Sequence, residues 1–134
     1  MIVVDASVLA NAVGDDEAAG QQARGLLRTH RELAAPDLID VETTAVLRRR
    51  WLAGSVTDER FEQAIADLPD MPLARFPTLG LMRRAFELRA NVTAYDACYV
   101  ALAEALDWPL CTADRRLAHA SGPRCSMQLI TLPS

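Results

Sequence analysis

Short apolar segments recur along this chain, each followed by a longer stretch of helical composition, and that alternation limits the folds open to it. Residues 1–4, 33–36, 73–76, 109–114 and 127–132 read as strands, mostly β-branched or small and apolar. Residues 17–33, 37–53, 57–68, 79–89 and 93–107 read as helices, with Ala18, Ala23, Leu26, Leu27 and Leu33 as core contacts of the first. Gly54 stops the second helix, and Thr57 is a suitable N-cap for the third. Short strands alternating with helices of about ten to fifteen residues describe an α/β fold built on a parallel sheet. The expectation is a three-layer helix–sheet–helix domain, with about five short strands, spanning residues 1–134 as one unit. Hydrophobic residues make up 51% of the chain, enough for a packed core without disulfides or a structural metal.

Several function classes drop out early. The N-terminal stretch through Val13 has no basic leader and carries Asp5 within its apolar run, so it reads as a first strand and not as a signal peptide. No apolar run approaches the roughly 18 residues of a membrane span, and a cytoplasmic protein is expected. Cys98, Cys111 and Cys125 show no paired spacing and have only His30 and His119 for company, so no zinc site is expected. Cys98 and Cys111 read as small core residues. All 14 basic residues are arginine. The absence of lysine excludes the phosphate-binding loop of nucleotide hydrolases and Schiff-base chemistry. A net charge of −4 makes no general nucleic-acid binder, yet arginine is the better phosphate clamp and local clusters count.

In a parallel sheet with crossover helices, the carboxyl ends of strands and the amino ends of helices share one edge, and ligands bind there. Asp5 ends the first strand, and Asp114 follows the fourth. Asp96 falls in the first turn of the helix leading into that strand, and Glu42 in the first turns of the helix after the second strand. At about 100° per residue, Glu42 shares a face with Leu38, Ile39, Ala45 and Val46, and Arg49 lies inward two turns on. Asp40, Thr44 and Arg48 fall on the far side, which selects Glu42 over Asp40. Two unit charges about 4 Å apart repel by ~4 kcal/mol at an effective dielectric of 20. Four acids at one edge therefore call for a divalent cation or for retained protons. An all-oxygen donor set with no nearby histidine or cysteine points to Mg²⁺ or Mn²⁺, cations suited to chemistry at phosphate.

Each acid also has a plainer reading. Asp5 can cap a helix, Asp96 can complete a capping box begun by Thr93, Glu42 can pair with Arg49, and Asp114 can sit in a turn. Asp15, Asp16, Glu17, Asp58 and Glu59 read as solvated surface. Arg83, Arg84, Arg115 and Arg116 are candidate phosphate contacts or ordinary solvated arginines. Trp51 and Trp108 read as packing residues before stacking platforms.

The stretches "IVVDASVLANA", "DVETTAVLRRR", "TAYDACYVALAEAL" and "LCTADRRLA" together resemble the PIN-domain ribonucleases, and most specifically the VapC toxins of VapBC toxin–antitoxin modules. The resemblance covers nearly the whole chain in the family's order. It implies a Mg²⁺- or Mn²⁺-dependent endoribonuclease whose acidic quartet is Asp5, Glu42, Asp96 and Asp114, with Asp5 and Asp96 matching the most consistent metal ligands. Ser7 and Thr112 match small hydroxyl positions that orient those acids, and Asn11 lies in the matching region without an assigned role. Residues 57–78 match no motif. Such toxins are usually homodimers, held inactive by a VapB-type antitoxin, and act on single-stranded or structured RNA. The implied reaction is phosphodiester hydrolysis by a metal-activated water. A phosphoaspartyl phosphatase or a receiver domain also places an acid after a strand, but both normally need a lysine. A non-catalytic PIN module that binds RNA or protein is the remaining alternative.

Overall fold

The computed structural model describes residues 1–131. Five strands form one sheet: β1 (Ile2–Val4), β2 (Leu33–Pro36), β3 (Ala74–Phe76), β4 (Leu110–Thr112) and β5 (Met127–Leu129). Their order is β3-β2-β1-β4-β5, and every neighbouring pair is parallel. The sheet of five parallel strands agrees with the sequence reading. The last strand ends at Leu129, short of the expected 132, a position outside the described residues.

The helices are α1 (Ala6–Gly14), α2 (Ala18–Arg28), α3 (Ile39–Leu52), α4 (Asp58–Asp67), α5 (Met82–Glu87), α6 (Ala94–Leu106) and α7 (Arg115–Ala118). Helix α1 packs against α2, α3 and α4, while α6 lies over β1, β2 and β4 with α5 beside it. This gives the three layers. β1, β2 and β4 are buried along their whole length, as strands covered on both faces must be.

Three expectations need correcting. Residues 6–14 are helical, although the sequence reading assigned them no helix; seven of the nine are buried, so no polar face marks the 3.6-residue period. The helix placed over residues 17–33 ends at Arg28, because Leu33 belongs to β2. On α3 the fully buried positions are Ile39, Thr43 and Leu47, spaced by four, while Ala45 and Arg49 face solvent. Arg49 thus does not point inward, and Glu42 lies at the edge of the buried stripe and not at its centre. The cap assignments agree: Thr57 accepts the Arg60 N–H and Thr93 the Asp96 N–H.

β1 pairs with β2 on one side and β4 on the other. The chain therefore changes winding direction beside β1, and the crevice at the carboxyl ends of β1 and β4 is where an open parallel sheet binds ligands.

Candidate active site

Asp5 stands at that crevice. It follows β1 directly, caps α1 and is only 5% exposed. Its Oδ1 accepts from Ser7 Oγ at 2.5 Å and from the Val8 N–H at 3.2 Å, and its Oδ2 accepts from Thr112 Oγ1 at 2.5 Å. Ser7 and Thr112 are themselves acceptors: the Ala113 N–H donates to Ser7 Oγ and the Asp114 N–H to Thr112 Oγ1. The turn after β4 is thereby tied to the end of β1 through one carboxylate. Burial pushes the Asp5 carboxyl above its ordinary value; the three donors oppose this, and the charge of Asp96 adds to it.

Asp96 lies in the first turn of α6, whose start is fixed by the Thr93 cap. It is half-buried and lines a small cleft of about 130 Å³ with Asn91, Thr93, Asp114 and Arg116. Burial raises its carboxyl, as does the charge of Asp114, while Thr93 and Arg116 pull it back. Asp114 caps α7 by accepting the Arg116 N–H at 2.9 Å. The capping reading of Asp5 is therefore structurally real, Asp114 is a helix cap where a turn acid was expected, and both roles coexist with membership of the cluster. Glu42, near the start of α3, accepts the Tyr99 phenol at 2.8 Å. Burial raises it, the Tyr99 bond opposes this, the charges of Asp96 and Asp5 raise it further, and Arg49 lowers it. No Glu42–Arg49 ion pair forms among the described residues.

The carboxylates thus share one edge: Glu42 feels the charges of Asp5 and Asp96, Asp5 that of Asp96, and Asp96 that of Asp114. Among the described residues, no three of them stand close enough to make a ready cage for one cation. The donor set nevertheless fits Mg²⁺ or Mn²⁺. It is all oxygen, and three of its members are raised first by burial and then by neighbouring acids, charges that a cation would offset. Mg²⁺ is commonly held by only one or two carboxylates and keeps several waters.

Other candidates lie elsewhere. Asn11 accepts from Arg50 Nη2 at 2.7 Å, in a separate cleft. Arg84 is committed to Glu104 and Glu87 and to the Gly122 carbonyl, so it is structural. Trp108 packs on the core, but Trp51 is 40% exposed, lies against Phe61 and donates to Asp58. Tyr99 was missed by sequence reasoning. Inside an apolar helix it reads as a core aromatic, and the one signal was that a buried phenol needs a partner.

The sequence matches the PIN domain family over residues 2–123. Ribonuclease VapC1 of Mycobacterium tuberculosis is 41% identical over 129 residues, covering 96% of each chain. The crystal structure of VapC20 from Mycobacterium tuberculosis, described as a Sarcin-Ricin loop cleaving toxin, superposes with a TM-score of 0.65 at 18% identity, covering 82% of this chain and 87% of that one. VapBC2 from Rickettsia felis, crystallised bound to a DNA fragment from its promoter, superposes with a TM-score of 0.66 at 14% identity, covering 96% and 98%. The two structures share the fold, the VapC1 identity extends nearly end to end, and the chain belongs to the PIN-domain family as one of its VapC-type members.

Proposed function

We propose that this protein is the toxin of a VapBC-type toxin–antitoxin pair, an endoribonuclease that hydrolyses RNA phosphodiester bonds with Mg²⁺ or Mn²⁺ at Asp5, Glu42, Asp96 and Asp114. The observation that carries this reading is the buried, triply hydrogen-bonded Asp5 at the end of the central strand, electrically coupled to Asp96 and Glu42. A carboxylate fixed in that setting caps α1 and, beside Asp96 and Glu42, is also suited to a cation. The 41% identity to a protein named a ribonuclease gives independent support.

Asp5 and Asp96 are the residues assigned to direct cation binding, with Asp114 and Glu42 completing the shell or holding its waters. When bound, the cation supplies the countercharge and makes a water acidic enough to serve as nucleophile near neutral pH. A water oxygen would attack phosphorus and give its proton to a carboxylate, while the bond from phosphorus to the 3′ oxygen breaks and that oxygen takes a proton from a second water. The products are a 5′-phosphate and a 3′-hydroxyl. Ser7 and Thr112 keep Asp5 oriented throughout. Arg49 and Arg116 are exposed guanidinium groups close enough to act on Glu42 and Asp96, and they are assigned to the RNA backbone on either side of the acids.

The inhibiting partner is a VapB-type antitoxin, the active form a homodimer and the site of action the cytoplasm. Exposed Leu79, Met82 and Phe86 around α5 offer apolar surface for self-association. Among the described residues no helix is long and apolar enough to cross a membrane.

Pure, antitoxin-free protein incubated with single-stranded RNA should cut it in Mg²⁺ or Mn²⁺, and should stop in EDTA. Asp96→Asn should lower the rate by on the order of a hundredfold or more while the fold survives. A second reading, a non-catalytic binding module, draws on the lack of a ready three-acid cage. RNA binding without metal-dependent cutting would establish it instead.

A further inference from the structure

Helix α6 carries one polar side chain deep in its apolar body. Tyr99 is 1% exposed, and its phenol has a single partner, Glu42 Oε1 at 2.8 Å. Phenylalanine would fill the same volume without a hydroxyl that must find a partner. Asp96 and Tyr99 are three residues apart and so lie on neighbouring faces of one rigid helix. Glu42 comes from a different helix, 57 positions away from Tyr99 in sequence. Glu42 Oε2 takes no hydrogen bond among the described residues.

We infer that Tyr99 is a positioning residue of the candidate site: its bond to Oε1 holds Glu42 on α3 in register with Asp96 on α6, and leaves Oε2 as the oxygen available to the cation and its waters. The inference rests on the ribonuclease reading for the identity of the site, and on geometry for the role. Groups that orient metal-binding carboxylates typically contribute about 10–100-fold in metal affinity or activity.

The test is Tyr99→Phe in the full chain, alone and combined with Glu42→Gln. Mn²⁺ affinity is read from the electron paramagnetic resonance of the free ion, and kcat and KM from a single-stranded RNA substrate. Tyr99→Phe should weaken Mn²⁺ binding about tenfold and lower kcat about tenfold or more, with KM for RNA unchanged. In the Glu42→Gln background it should change neither quantity further. The chain has two tyrosines, so 3-fluorotyrosine labelling gives two fluorine lines, one from the exposed Tyr95. Mg²⁺ should shift the Tyr99 line in the otherwise native protein and leave it in place in Glu42→Gln. A Tyr99→Phe protein with native Mn²⁺ affinity overturns the inference, as does an equal loss in both backgrounds. If that variant does not fold, a Tyr99 line that ignores the cation overturns it. Tyr99-dependent Mn²⁺ binding without RNA cutting overturns the nuclease reading alone, and a native protein that binds no Mn²⁺ overturns both.

Discussion

At the scale of single residues, burial and neighbouring charge make the site costly to hold in its ionised form. Asp5, Glu42 and Asp96 all have carboxyls raised by burial, with mutual repulsion adding to it. Removing one charge should relieve the others. Asp96→Asn is therefore expected to raise the melting temperature in EDTA and, on the proposed cation reading, to show a smaller rise on adding Mg²⁺ than the native protein does. Calorimetry with and without the ion checks both, and a variant less stable than native in EDTA would show that Asp96 is structural. The placement of Asp5, Asp96 and Asp114 was legible in sequence because a charge after a buried strand, or at the head of an apolar helix, must cap, pair or bind a cation to be tolerated there. Glu42 was chosen by an angle count that the stripe of Ile39, Thr43 and Leu47 corrects. The inward placement of Arg49 was wrong because Thr43 looks polar in sequence yet occupies the core, which rotates the true stripe away from the one that apolar residues suggested.

At the scale of elements, α6 is fixed at both ends. Thr93 caps its start, and Asp107 ends it in the left-handed region at φ 55° and ψ 44°. That conformation is unfavourable for a side chain with a Cβ and free for glycine. Asp107→Gly should stabilise the protein by about 0.5–1 kcal/mol, seen as a higher urea midpoint with unchanged slope. Gly20 makes the opposite case on α2. A Cβ there would run into the Asp15 carbonyl oxygen, so Gly20→Ala should unfold or strongly destabilise the chain. The strands were readable as short, continuous apolar runs, the mark of a sheet covered on both faces. Helix α1 was not, because a helix buried nearly all round carries no amphipathic period.

At the scale of the molecule, pH acts through the same charges that the proposed cation would meet. An acid whose folded pKa is raised binds protons more readily folded than unfolded. Stability should therefore rise as pH falls from neutral through the folded values of Asp5, Glu42 and Asp96, and level off near their ordinary values around 4. Glu104 works in the other direction. Burial raises it, but its bonds to Arg84 and the Arg124 N–H outweigh this and hold it low, so its contribution is lost only below about pH 4. Denaturant titrations across pH 4 to 7 in EDTA should show the rise, and saturating Mg²⁺ should flatten it. The order of the strands also bears on the making of the protein. β1 emerges first from the ribosome but sits at the centre of the sheet, and the hydroxyl that grips Asp5 Oδ2 belongs to Thr112, 107 residues later. A growing chain can pair its middle strand with β2 early, but the other side of β1 stays open until β4 has been synthesised. The Thr112 hydroxyl reaches Asp5 only when translation has passed that point, so a chain interrupted earlier leaves Asp5 without one of its three donors and without the strand that closes its side of the crevice.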